Sequence, residues 1–317
     1  ADALEHMPYA RQYFTTGLWA GRALSPSNWT LPAFASLWTG LDADQHGAGR
    51  SDFATAPVSG TEARGFTALG PAESFVDALR GAGWATAGVH QNPFLEDWTG
   101  LSRGFERWIR TRDARGALRE PAEAWWQANA HRPRLLVLHW MTPHLPYGTE
   151  DAEDPLRTRD WRSFLAEDHS PEERRAFFNF TEEQRAEIRA RYYHEVAALD
   201  AEFLNWLPSL LAGARRPVVL FWSDHGEELW DDGSFEHGHS FHEAVVRVPL
   251  GLRWDGIQEH QKLPGEVPSG QLGLHLLHLL AESDPAIANA LASTARTLPP
   301  CGLTAHCPAR KRSVRSL

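Results

Sequence analysis

Three short apolar runs constrain this chain most: TAGVH at 86–90, LLVLH at 135–139 and VVLFW at 218–222. Each is bounded by turn signals, with amphipathic stretches between, the pattern of an α/β chain whose parallel sheet is covered by helices on both faces. Apolar spacing predicts helices over 72–82 and 182–210. Thr181 followed by Gln184 is a capping box for the longer helix, and Pro208 is expected to close it. Residues 149–170 are acidic, aperiodic and Pro-containing, and read as a surface excursion after a strand. Beyond about residue 256 a turn-rich segment leads into LGLHLLHLLAE, an amphipathic helix, and the chain ends in a basic tail expected to be solvated. The expected organisation is one domain over 1–256, with a helical segment and tail over 257–317 packed on it.

With 42% apolar residues in 317, there is enough to build a sizeable core. The net charge of -10 argues against a sequence-independent grip on nucleic acid. No apolar run approaches the ~18 to 20 residues of a membrane helix. Cys301 and Cys307 make no disulfide framework, which leans toward the cytoplasm without fixing the compartment. The first residues, ADALEHMPYARQYF, have neither an initiator Met nor a signal-peptide core, so processing or a boundary upstream is expected. The fourteen tryptophans read either as packing or as a stacking platform.

The stretch 221–250, FWSDHGEELWDDGSFEHGHSFHEAVVRVPL, holds four histidines and seven acidic residues. Ligands of open α/β sheets bind outside the carboxyl ends of the strands. Asp224 and His225 stand at such an end and suit a divalent cation, although a lone Asp-His pair can equally cap a turn and pack. His237, His239 and His242 follow within eighteen residues and could hold an anionic substrate or protonate a leaving group. The layout repeats in LLVLHWMTPHLPY, with His139 at a strand end and His144 on a loop stiffened by Pro143 and Pro146. In SPSNWTLPAFASLWTG, Pro32 suits the first turn of a helix and Gly40 its end. Thr30 then stands at the helix N-terminus, either as a nucleophile facing an anion or as an ordinary N-cap.

These segments, in this order, resemble the sulfatase family of the alkaline phosphatase superfamily, over most of residues 1–250. The family's nucleophile segment, Cys-x-Pro-Ser-Arg followed by Leu-x-Thr-Gly, is matched by Thr30-Leu31-Pro32-Ala33-Phe34 and Leu37-Trp38-Thr39-Gly40. GWATAGVHQNPFL, RGFERW, HWMTPHLPY, YYHEVAALDAEF and SDHGEEL with HGHSFHEAVVRVPL resemble later family segments. The resemblance implies an alkaline-phosphatase-like three-layer sandwich, with a mostly parallel sheet between helices. It implies one divalent ion (Mn, Zn, Ca or Mg) on Asp224 and His225, catalytic roles for Thr30, His144, His237 and His239, and substrate contacts from His139 and Asn92. A further acidic ligand is implied on a first strand upstream of Ala1, of which Ala1-Asp2-Ala3-Leu4 resembles the tail.

Thr30 departs from the Cys or Ser that sulfatases convert to formylglycine, and Phe34 stands in place of the Arg. The position resembles instead the Thr nucleophiles of superfamily phosphodiesterases, phosphonate hydrolases and group transferases. LGLHLLHLLAE also stands where the family has Asp-x-x-Pro-Thr. The implied activity is metal-assisted cleavage of a small anionic ester through a covalent Thr30 intermediate, phosphodiester or phosphonate rather than sulfate. A true sulfate esterase, a phospho-group transferase and a non-catalytic binding protein are the alternatives.

Overall fold

The computed structural model describes residues 5–50, 66–148, 154–255 and 266–293. Strands Ala85–His90, Arg134–His139 and Val219–Trp222 stand where the apolar runs predict them. The first two belong to a three-stranded parallel sheet ordered Arg107–Arg110, Ala85–His90, Arg134–His139. The other belongs to a four-stranded sheet ordered Val267–Pro268, Leu18–Leu24, Arg247–Arg253, Val219–Trp222. Arg247–Arg253 runs antiparallel to both its neighbours, so this second sheet is mixed. The reversal follows from the chain path, because the loop after Val219–Trp222 turns back beside its own strand.

Side chains alternate across each strand, and the two faces meet separate cores. Leu136, Leu138 and Phe221 pack with Phe14, Val196 and Phe203 on one side. Leu135, Val137, Leu220 and Trp222 pack with Leu31, Leu37, Phe75 and Leu276 on the other. Helix Glu182–Leu210 covers the first face, while Thr30–Thr39, Phe75–Gly81 and Leu272–Ala281 cover the second, giving three layers. Every residue of Thr30–Thr39 is buried, as its nearly unbroken apolar sequence requires. Each fully enclosed leucine, such as Leu31, contributes about 1.5–3 kcal/mol of transfer free energy. Gly40 ends this helix at φ 69°, where a Cβ would meet Leu274 at 2.1 Å.

Several details differ from the sequence reading. The helix predicted over 72–82 spans Phe75–Gly81, because Ser74 and Asp77 form a capping box that sets a later start. The Thr181–Gln184 box is present, but Pro208 lies inside Glu182–Leu210; near the C-terminal end its missing N–H costs little more than one hydrogen bond. The stretch expected as a surface excursion includes helix Trp161–Leu165 and the core residue Leu156, 1% exposed. Leu272–Ala281 is buried from Leu272 through Leu277, more deeply than an amphipathic surface helix. Ala1 to Leu4, both cysteines and the basic tail lie outside the described residues. No helix among the described residues is long and apolar enough to cross a membrane.

Strands Arg134–His139 and Val219–Trp222 each pair on one side only among the described residues. Between them lies a cleft of about 1040 Å³, lined along both strands. Its walls include His139, Asp224 and Thr30.

Candidate active site

Trp29, in extended conformation, is the N-cap of helix Thr30–Thr39, so the Thr30 hydroxyl is not spent on capping. That hydroxyl is 4% exposed with its residue and accepts a hydrogen bond from Asn92 Nδ2 at 3.2 Å. The Asn92 amide is itself fixed, because its Oδ1 accepts from the Phe94 N–H at 2.8 Å. On its other side Thr30 Oγ1 lies 3.5 Å from His225 Nε2 and against the Asp224 carboxylate.

Asp224 and His225 follow directly on strand Val219–Trp222. The Ser25 hydroxyl donates to the Asp224 backbone carbonyl, tying this strand end to the loop that leads into the Thr30 helix. His225 Nδ1 lies 2.8 Å from the Gly226 carbonyl and donates to it, which leaves Nε2 as a lone-pair donor facing Thr30, 3.6 Å from Asp224 Oδ2. Gly226 is required by a close approach: a Cβ there would stand 2.1 Å from the Ala244 carbonyl oxygen.

His139 ends strand Arg134–His139, beside the Phe34 ring at 5.4 Å. Burial drives its pKa down to about 4 despite the nearby Asp224, so it is a neutral imidazole at pH 7. Burial alone would raise the Asp224 pKa; the imidazoles of His225 and His139 and the Thr30 hydroxyl bring it below the ordinary carboxylate value. Asp224 is therefore anionic, and its Oδ2 is buried without a hydrogen-bond partner.

His144 and His237 extend this group. The His144 ring packs edge-on against His237 at 5.1 Å, and the His237 ring lies 4.1 Å from His225. His144 Nδ1 donates to the Leu145 carbonyl at 2.8 Å. His237 Nδ1 donates to Glu227 Oε1 at 2.8 Å, and Tyr147 donates to Glu227 Oε2 at 2.9 Å. Burial, then the neighbouring His225, hold the His237 pKa well below its usual value.

The structure thus brings Thr30, Asn92, His139, His144, Asp224, His225 and His237 together. His239 belongs to a neighbouring network, joined to this one where its Nδ1 lies 3.1 Å from the His237 carbonyl and Glu236 Oε1 lies 3.5 Å from His237 Nδ1. Its Nε2 lies 3.1 Å from Glu228 Oε2 and its Nδ1 3.7 Å from Glu236 Oε2. Burial opposes its charge, but these carboxylates prevail and raise its pKa to about 9. Arg174 completes the network, 2.8 Å from Glu236. His242 caps helix Glu243–Val246 through its side chain. Sequence reasoning missed Glu227, Tyr147 and Ser25; the available signals were a carboxylate two residues after His225 and the aromatic end of HLPY.

Asp224 and His225 have the donor chemistry for a divalent ion: a buried carboxylate oxygen without a partner, beside an imidazole nitrogen with its lone pair free. Among the described residues no group of three His, Cys, Asp or Glu side chains is arranged to enclose one. The Thr30 hydroxyl, 3.5 Å from His225 Nε2, would lie beside such an ion.

The family model described as Sulfatase matches residues 1–281. Comparison with curated proteins gives no match. Among solved structures, a 2-O GAG sulfatase superposes with a TM-score of 0.62 at 17% identity, over 88% of this chain and 67% of that one. A phosphonate monoester hydrolase of Agrobacterium radiobacter gives 0.54 at 16%, over 87% and 69%. A protein solved with its substrate D-glucosamine-2-N,6-O-disulfate gives 0.59 at 13%, over 86% and 71%. This chain thus spans about two thirds of the length of the structures it resembles. At these identities the superpositions show the fold, an α/β alkaline-phosphatase-like one, and the match over 1–281 shows the family. The chain belongs to the sulfatase family of the alkaline phosphatase superfamily, a family of ester hydrolases.

Proposed function

We propose that the protein hydrolyses a phosphodiester or phosphonate ester with Thr30 as its nucleophile. The observation that carries this reading is the Thr30 hydroxyl, which does not cap its helix and meets Asn92, His225 and Asp224 instead. Thr30 Oγ1 attacks phosphorus, an O–P bond forms, and the bond to the leaving oxygen breaks. The hydroxyl proton passes to the Asp224 carboxylate that faces it. Asn92 Nδ2 holds the nucleophile's orientation. His144 gives a proton to the leaving oxygen, and His237 and His139 meet the non-bridging oxygens. Water then attacks phosphorus and gives a proton to His144, the Thr30 O–P bond breaks, and Thr30 recovers its proton from Asp224. A divalent ion held by Asp224 and His225 would neutralise charge on the ester and lower the pKa of the hydroxyl.

The resemblance implies another acidic ligand, on a strand upstream of Ala1. The cleft between Arg134–His139 and Val219–Trp222, with His139 and Asp224 among its walls, supports that expectation, since a strand there would run to the site. Sulfate esters are the second reading, favoured by the sulfatases among the structural neighbours.

The test is chromophore release from aryl phosphate, phosphodiester, phosphonate and sulfate esters. It uses protein with its upstream segment, loaded in turn with Mn, Zn, Ca and Mg, beside a chelated sample. Phosphodiester or phosphonate turnover should be lost on chelation and in Asp224→Ala, and fall at least about 10³-fold in Thr30→Ala. Turnover of sulfate alone establishes the second reading, and no turnover of any ester refutes hydrolysis.

A further inference from the structure

We propose that Glu227, fixed by Tyr147, is the positioning residue that holds His237 in the site, an inference that rests on the hydrolase reading above. His237 sits between the His225 and His144 rings, yet it reaches them from a loop. The short ladder of Phe235–Glu236 with Glu228–Leu229 stops just before it, and φ of 75° at Glu236 and 81° at Gly238 turns the chain on either side, so backbone pairing does not fix the imidazole itself. Glu227 supplies the anchor. Its side chain is 4% exposed, and both of its oxygens are occupied, one by His237 Nδ1 and the other by the Tyr147 hydroxyl. A carboxylate gripped at both oxygens cannot rotate, and the ring it holds cannot flip without losing a charge-assisted hydrogen bond.

Tyr147 comes from the loop that presents His144, and Glu227 from the loop that presents His225. One carboxylate therefore ties together the three loops that carry the site's histidines. With Nδ1 engaged, only Nε2 of His237 remains to meet the ester. The next residue, Glu228, serves the other network, accepting from the Ser240 hydroxyl at 2.7 Å and facing His239. The two adjacent glutamates thus have separate tasks.

The test combines imidazole-nitrogen NMR with steady-state kinetics on the protein and on Glu227→Ala, Glu227→Gln and Tyr147→Phe. In the unaltered protein His237 should show a protonated, hydrogen-bonded Nδ1. Glu227→Ala should mix its tautomers and lower kcat about 10- to 100-fold, with KM changed far less. Glu227→Gln, whose amide oxygen accepts the same Nδ1–H, should recover most of kcat, and Tyr147→Phe should lose less than Glu227→Ala. An unchanged His237 signature in Glu227→Ala overturns the proposal. So does a kcat loss in Glu227→Ala that only follows a loss of folded protein and is not rescued by Gln. If the unaltered protein turns over no ester, the hydrolase reading falls, and the ring-nitrogen signals alone decide whether Glu227 positions His237.

Discussion

His239 should make the stability of this protein depend on pH in a calculable way. Its pKa rises from 6.5 to about 9 in the fold, where Glu228 and Glu236 flank it and the side chain is 16% exposed. A folded pKa above the unfolded one means that the folded state binds the extra proton. The stabilisation is then fully present below pH 6.5, declines as pH rises, and is gone above about pH 9. At about 1.4 kcal/mol per pH unit, the imidazolium contributes about 3 kcal/mol, counted once for the whole cluster. Urea unfolding of the protein and of His239→Gln, each at about pH 6 and about pH 9.5, isolates this contribution, because other titrating groups cancel between the two proteins. The stability gap between them should be about 3 kcal/mol larger at the lower pH. An equal gap at both values would show that His239 is neutral in the fold, and the carboxylate network would need another account.

The same network predicts a coupled pair. Arg174 and Glu236 are 10% and 12% exposed at 2.8 Å, so Arg174→Met should cost about 3 kcal/mol by stranding a buried carboxylate. Adding Glu236→Gln should restore most of it, and a double-mutant cycle by urea unfolding that comes out additive would contradict the pairing. Gly226→Ala places a Cβ 2.1 Å from a backbone oxygen, which forces the His225 loop to move. Turnover of the preferred ester should fall by about 100-fold, and near-normal kcat in that variant would mean that the loop does not set the site.

The apolar runs made the sheet legible, because each ends in a chemically marked residue: His90, His139 and, just beyond Trp222, Asp224. The helix at Thr30–Thr39 was legible from Pro32 and Gly40, which act within one turn of its ends. Pro208 misled because a proline near a helix end removes only one bond, and nothing in the residues around it shows that the helix continues to Leu210. His237 and His239 look interchangeable in EHGHS. What distinguishes them is Glu227 for one and Glu228 for the other, with Glu236 between them held by Arg174, 62 residues away. Tyr147 and Glu227, 80 residues apart, meet only because two strand ends share one side of the fold. Local pattern registers which residues stand at strand ends, whereas partners across the sheet become visible only when the chain is folded.

The cleft between Arg134–His139 and Val219–Trp222 makes hydrogen exchange and mass action part of this protein's behaviour. Along each strand, alternate residues direct N–H and C=O groups toward a space where a neighbouring strand would lie about 4.8 Å away. Ala85–His90 is paired on both sides, so its amides should be among the last to exchange with solvent. A segment that enters and pairs binds only the folded state and raises its stability by about 2.7 kcal/mol at a hundred times its Kd. Whatever pairs along these two strands therefore sets how long the molecule stays folded.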